Sequence, residues 1–245
     1  MHSVSARGLH SYTVGHVEAA DFVTLSHVTT SQQVADGIRD MILSGALLPG
    51  ERINESTMST SLGISRNTVR EAVRLLEAGG LIRQHQRRGM AVWDPSDEEI
   101  LDLYAARLHL ECLAARAVGP ETDLSAVKRA LEDFREVLGS HDPTRIVEAD
   151  LALHQTVIDL LGNAYLSGVY KHLSTQLRYF LLVLSIDQHE YEDVSGIEQE
   201  HISIVEALES RDAAVAENKI AAIINENRDL VRQSMQIRRS AQATG

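Results

Sequence analysis

Between Asn54 and Glu77 the chain reads NESTMSTSLGISRNTVREAVRLLE, and no other stretch limits its possible folds as tightly. It predicts two short helices joined by a tight turn. Asn54 is placed to cap the first, Gly63 to make the turn and Ser65 to cap the second. Val69, Ala72, Val73 and Leu76 follow the cap at i, i+3, i+4, i+7 spacing, so one face of the second helix is directed into a core. Arg66, Asn67, Thr68, Arg70 and Arg74 fall elsewhere on it. Arg66 and Arg70 are surface neighbours four residues apart, and their mutual repulsion stabilises nothing. An arginine fork does match a guanine edge or a phosphate, and the first turns of a recognition helix are the part that reaches bases. The bland alternative, a solvated helix face, is met by what flanks the stretch.

Upstream, Val34, Ile38, Met41 and Ile42 have helical spacing, with Gly45 as a stop. Leu48-Pro49-Gly50 reads as a turn and Glu51 to Ile53 as a short strand. Downstream, Gly79-Gly80 ends the recognition helix. Leu81–Gln84 and Met90–Trp93 read as a hairpin whose tip is basic, Arg87-Arg88-Gly89. Such a tip suits a wing lying along a phosphate row, with glycine permitting close approach. The sum is a winged helix-turn-helix over 27–95, preceded by a leader, 1–26, with no clean period.

In detail this segment resembles the GntR family of bacterial transcriptional regulators. The resemblance rests on Ile38-Arg39, Gly45, Leu48-Pro49-Gly50, Asn54-Glu55, Leu62-Gly63-Ile64-Ser65-Arg66, Val69-Arg70-Glu71-Ala72, Gly80-Leu81-Ile82 and Gly89. It implies DNA contacts from Arg66, Asn67, Thr68 and Arg70 on the helix and from Arg88 and Gly89 on the wing. It also implies double-stranded operator DNA as partner and a homodimer that matches two half-sites. Asn67-Thr68 departs from the family where many members carry proline, which bears on base preference rather than on fold.

Beyond Pro95-Ser96 the pattern is helical throughout, giving a mainly α chain with an antiparallel bundle of about six helices over 96–245. Asp97, Asp123, Asp142-Pro143, Asn163 and Asp212 are start signals, and Gly119, Gly139 and Gly162 are stops. The charge is uneven. Residues 31–93 carry eight arginines and no lysine against six acids, whereas 94–245 are strongly acidic and bring the chain to −12. An acidic bundle repels DNA and leaves the binding to the head. The single cysteine, Cys112, excludes an internal disulfide and reads as a small core residue. No apolar run is long enough to span a membrane, and no signal-like run opens the chain, so a cytoplasmic protein is expected.

Asp150 and His154 share a helix face, and His201 lies beside Ile202 and Val205 on a later helix. A carboxylate and two imidazoles meeting from two helices can hold a divalent transition metal, although such a pair also occurs as a surface pair or a core hydrogen bond. The bundle resembles the FCD ligand-binding domain of the FadR subgroup. That resemblance implies a metal at Asp150, His154 and His201, most often zinc, with a small carboxylate effector. It also implies a fourth histidine near Ile223, where this chain is apolar. Two readings stay open: a three-ligand site completed by water or effector, or a metal-free polar pocket. Arg107 matches an arginine of the effector cavity, and Arg178 is a second candidate clamp. The expected function is a DNA-binding regulator controlled by a small organic acid. The alternatives are a metal-dependent enzyme, since two histidines and a carboxylate also form an iron triad, and an architectural DNA-binding protein that senses nothing.

Overall fold

The computed structural model describes residues 28–85 and 89–244, so the leader and Arg88 lie outside the described residues. The head comprises α1 (Thr30–Leu43), α2 (Glu55–Leu62), α3 (Arg66–Ala78), β1 (Ile82–His85) and β2 (Gly89–Val92). The expected caps form. Asn54 accepts from the Thr57 amide, Gly63 turns in the left-handed region and Ser65 accepts from the Thr68 amide. Val69, Ala72, Val73 and Leu76 are all buried, as the stripe requires. Met41 is exposed instead, because Ala35, Ile38, Ile42 and Leu43 set the inward face of α1. β1 and β2 pair antiparallel, and the expected strand at 51–53 is a single bridge from Arg52 to Ala91.

Six helices form the bundle: α4 (Asp97–Ala117), α5 (Ser125–Leu138), α6 (Pro143–Asp159), α7 (Ala164–Asp187), α8 (Ser195–Glu209) and α9 (Ala213–Thr244). Ser96, not Asp97, caps α4. Its hydroxyl accepts from the Glu99 amide, while the Glu99 carboxylate accepts from the Ser96 amide. Leu101 and Leu113 are exposed. The inner face of α4 carries Ile100, Tyr104, Arg107, Glu111 and Cys112. Tyr170 and Tyr179 are buried on α7, but Tyr165 points to solvent. No helix among the described residues is long and apolar enough to cross a membrane.

The head rests on the bundle along α7. Trp93 stacks on Phe180 and Tyr179, with ring centroids 4.9 and 5.7 Å away. The Arg83 guanidinium lies 3.7 Å from the Trp93 ring centroid and donates to Gln176 Oε1 at 2.7 Å. Arg238 of α9 is buried and reaches both parts. It donates to the last-turn carbonyls of Ile42 and Leu43 on α1 and, twice, to Asp187 at the end of α7. The Ile42 carbonyl also accepts from the Gly45 amide at 3.2 Å, and a cation at this end suits the helix dipole.

Gly80 sits at φ +75°, and a Cβ there would lie 2.7 Å from the Thr175 carbonyl oxygen. Backbone of the head thus approaches backbone of α7. Gly80→Ala is expected to cost about 1–3 kcal/mol through positive φ and the clash. A denaturant melt would read the loss, and faster proteolysis at Asp94–Ser96 would show that the head has come off the bundle.

Candidate functional site

Two sites emerge, one on each part. On the head, Arg66, Asn67 and Arg70 are exposed at the start of α3, and Thr68 is half-buried. The Thr68 hydroxyl lies 2.9 Å from that of Ser65 and so belongs to the cap. Arg66 donates to Ser56 Oγ at 3.0 Å, and Arg70 stands 3.5 Å from Glu55 Oε2. Exposed contacts of this strength are readily exchanged for others. The two guanidiniums border an open groove that runs from α2 and α3 to Gly89, the first residue of β2, at φ +74°. Arg52 lines the same groove beside Gly89.

In the bundle, α6 and α8 bring Asp150, His154 and His201 together, with one ligand atom from each within 4.8 Å of the others. Both histidines are fixed in orientation from behind. His154 Nδ1 lies 2.7 Å from Glu111 Oε2 and His201 Nδ1 lies 2.7 Å from the Ile197 carbonyl; those acceptors require N–H at each Nδ1. In the neutral rings, both Nε2 lone pairs are then directed toward Asp150. His201 Nε2 lies 3.0 Å from Asp150 Oδ2, and Asp150 Oδ1 is buried without a hydrogen-bond partner. This donor set, two imidazole nitrogens and a carboxylate held by an outer carboxylate and a carbonyl, fits zinc or a similar divalent ion. Ile223 is part of the cavity wall, so the fourth position has no protein ligand there.

Glu111 is the residue that sequence reasoning missed. It is fully buried, and it accepts from Arg107 Nε at 2.8 Å, Tyr170 OH at 2.8 Å and His154 at 2.7 Å. Its separation of four from Arg107 was the available signal. Burial pushes its carboxyl up, but the charges of His154 and Arg107 and their hydrogen bonds prevail and hold it down at about 2. Burial likewise opposes ionisation of Asp150, and His201, His154 and Arg107 outweigh it and hold its pKa below the ordinary value.

Neither arginine expected to clamp an effector lines the cavity. Arg107 is buried and bound to Glu111 behind His154. Arg178 is half-exposed and pairs with Glu148 of α6 at 3.0 Å, outside the cavity lining, although its neighbours Leu177, Tyr179 and Phe180 are buried. The cavity, of about 50 Å³, is bounded instead by Asp150, Glu190, Glu200, Glu226, Ser185 and His201, among others. Burial, reinforced by Glu200 and Asp150, pushes the Glu190 carboxyl up to about 7.

A capped, arginine-bearing helix on a winged head, fused to a helical bundle, defines a transcriptional regulator of the winged helix-turn-helix class. The chain belongs to the GntR family and carries an FCD domain. The family model "Bacterial regulatory proteins, gntR family" matches residues 30–92, and the FCD domain model matches 102–226. An uncharacterized HTH-type transcriptional regulator of Bacillus subtilis, YdhC, is 28% identical over 198 residues, covering 79% of this chain and 87% of its own. The gluconate operon transcriptional repressor of the same species is 26% identical over 197 residues, covering 78% and 80%. A putative GntR transcriptional regulator from Rhodococcus sp. RHA1 superposes with a TM-score of 0.61 at 25% identity, covering 83% of this chain and 97% of that one.

Replacing Glu111 leaves the Arg107 charge buried and unpaired. Glu111→Gln is expected to lose about 3–5 kcal/mol at pH 7, read by denaturant melting. Because the folded pKa is depressed from 4.5 to about 2, the ionised Glu111 stabilises the wild type above pH 4.5. That stabilisation drains away as pH falls toward 2. The variant should lack this part of the acid slope.

Proposed function

We propose that this chain is a ligand-controlled repressor that works in the cytoplasm as a homodimer. It sets two copies of α3 against the half-sites of a pseudo-palindromic operator. The carrying observation is the exposed start of α3, with Arg66, Asn67 and Arg70 beside a groove that continues to Gly89. Arg66 and Arg70 reach base edges or phosphates, Asn67 reads a base, and Thr68 holds the cap that orients them. Arg88 and Gly89 supply the wing contact. The repressor sense is taken from the similarity to the gluconate operon repressor.

The bundle senses a small molecule in the cavity between α6, α7, α8 and α9. Asp150, His154 and His201 would hold a divalent metal, zinc first. When bound, it would supply a Lewis-acidic anchor for an effector's oxygen or nitrogen. Glu111 positions His154, and Arg107 keeps Glu111 ionised. The route to the head is short. Ser185 lines the cavity, and two residues on Asp187 grips Arg238, which holds the end of α1. An effector that favours one setting of that turn biases the head by its differential affinity, on the order of 1–3 kcal/mol.

Arg66→Ala should fold normally and lose about 1–3 kcal/mol of operator affinity relative to non-specific DNA. Unchanged operator binding in gel shift or anisotropy would remove α3 from the interface. Zinc added to EDTA-dialysed protein should raise Tm, and the rise should vanish in His201→Gln. Equal rises in wild type and His201→Gln would exclude this site as the metal's.

A further inference from the structure

One cation of the head is left without a partner. Among its described arginines, Arg39, Arg66, Arg70, Arg74 and Arg83 each reach an acceptor side chain, and Arg52 reaches none. The backbone fixes where Arg52 stands. The Val92 amide donates to the Glu51 carbonyl and the Ile53 amide to the Met90 carbonyl, each at 2.9 Å, which zips residues 51–53 onto β2. Ile53 is buried, and side chains alternate along an extended segment, so Arg52 is turned to the other side and is exposed. Its Nε lies 4.0 Å from where a Cβ on Gly89 would stand.

The place is a charged one. Arg52, Arg66 and Arg70 line one groove, and the only carboxylate lining it is Glu55, which Arg70 already engages. Gathering like charges stabilises nothing in the free protein. An excess of arginine in one groove of a chain with net charge −12 suits a polyanion. Position then separates the three. Arg66 and Arg70 sit in the first turns of α3, the part of a recognition helix that reaches base edges. Arg52 sits on the strand beside that helix, next to the wing. With α3 in the major groove, a side chain flanking it meets the groove wall, and the wall of a major groove is phosphate.

We propose that Arg52 is a phosphate anchor. It grips one backbone phosphate of the operator between the α3 contacts and the wing, fixes the register in which Arg66, Asn67 and Arg70 meet the bases, and reads no base itself. This rests on the reading of α3 and Gly89 as the DNA-facing surface, and it adds the segment before α2 to that surface.

Two probes test it: the duplex that the wild-type chain selects from a randomised pool of about 30 base pairs, roughly three helical turns, and a scrambled duplex of the same composition. Binding of the full chain to each is followed by fluorescence anisotropy over a range of salt. Each phosphate contact makes affinity fall as about the 0.9 power of salt concentration, so one contact is worth roughly eightfold at about 0.1 M. Arg52→Gln should weaken both duplexes by roughly that factor per bound chain and flatten the salt slope by about 0.9 per chain, with the preference between the duplexes intact. Arg52→Lys keeps the point charge and should recover most of the slope. Arg129→Gln, the same charge change at an exposed position of α5 in the bundle, should alter neither affinity nor slope. Unchanged affinity and slope in Arg52→Gln would overturn the anchor. So would a lysine variant as weak as the glutamine one, a narrowed preference between the duplexes, or an equal loss in Arg129→Gln. Arg66→Ala is run beside them. If it keeps the wild-type preference, the α3 interface itself is wrong. If it loses that preference while Arg52→Gln binds as wild type, the anchor alone is wrong.

Discussion

A single buried carboxylate organises the centre of the bundle. Glu111 has no access to solvent, and three side chains from three helices converge on it: Arg107 from α4, His154 from α6 and Tyr170 from α7. A buried charge is tolerated only when it is paired and fully hydrogen-bonded, and here these requirements are met together. The arrangement fixes more than stability. By accepting from His154 Nδ1–H, Glu111 leaves Nε2 for whatever Asp150 and His201 hold. By accepting from the Arg107 guanidinium, it keeps both buried charges paired. One interaction thus aligns a candidate metal ligand and neutralises the charge at the centre of α4.

The same bundle governs the head through contacts that would be hard to make one at a time. Trp93 lies against Phe180 and Tyr179, Gly80 against the Thr175 backbone, and Arg238 bridges Asp187 to the carbonyls of Ile42 and Leu43. The first two act on the middle of α7, and the third on its end. Ser185 and Asp187 belong to one turn of that helix, which thus contributes both to the cavity wall and to the grip on α1. In a densely packed interior a shift of that turn is transmitted to its neighbours rather than absorbed.

What could be read in advance varied with the range of the interactions involved. Caps at Asn54, Ser65, Asp142 and Asn163 and the left-handed turns at Gly63 and Gly162 were legible, because each is settled within a few residues of backbone. The stripe on α3 was legible because a short helix against one core has one buried face. The inner face of α4 was not legible: Arg107 and Glu111 occupy it, while Leu101 and Leu113 are exposed. Helical spacing ranks positions by hydropathy, and it has no means of knowing that two buried charges will neutralise each other. Arg178 could be read as a clamp or as a surface ion pair, since spacing does not tell which side of α7 faces the cavity, and it pairs with Glu148.

The sequence by itself determined a winged head on a helical bundle, the helix that carries Arg66 and Arg70, and the trio Asp150, His154 and His201. Each follows from local backbone preference or from two positions on one helical face, joined by a family resemblance carried in consecutive residues. Only the tertiary structure decided what stands around that trio. Glu111 behind it, the acids around the cavity and the Arg238 bridge to α1 all join residues far apart in the chain. Their charge states and partners come into being when the helices pack, because burial makes each one depend on all the others.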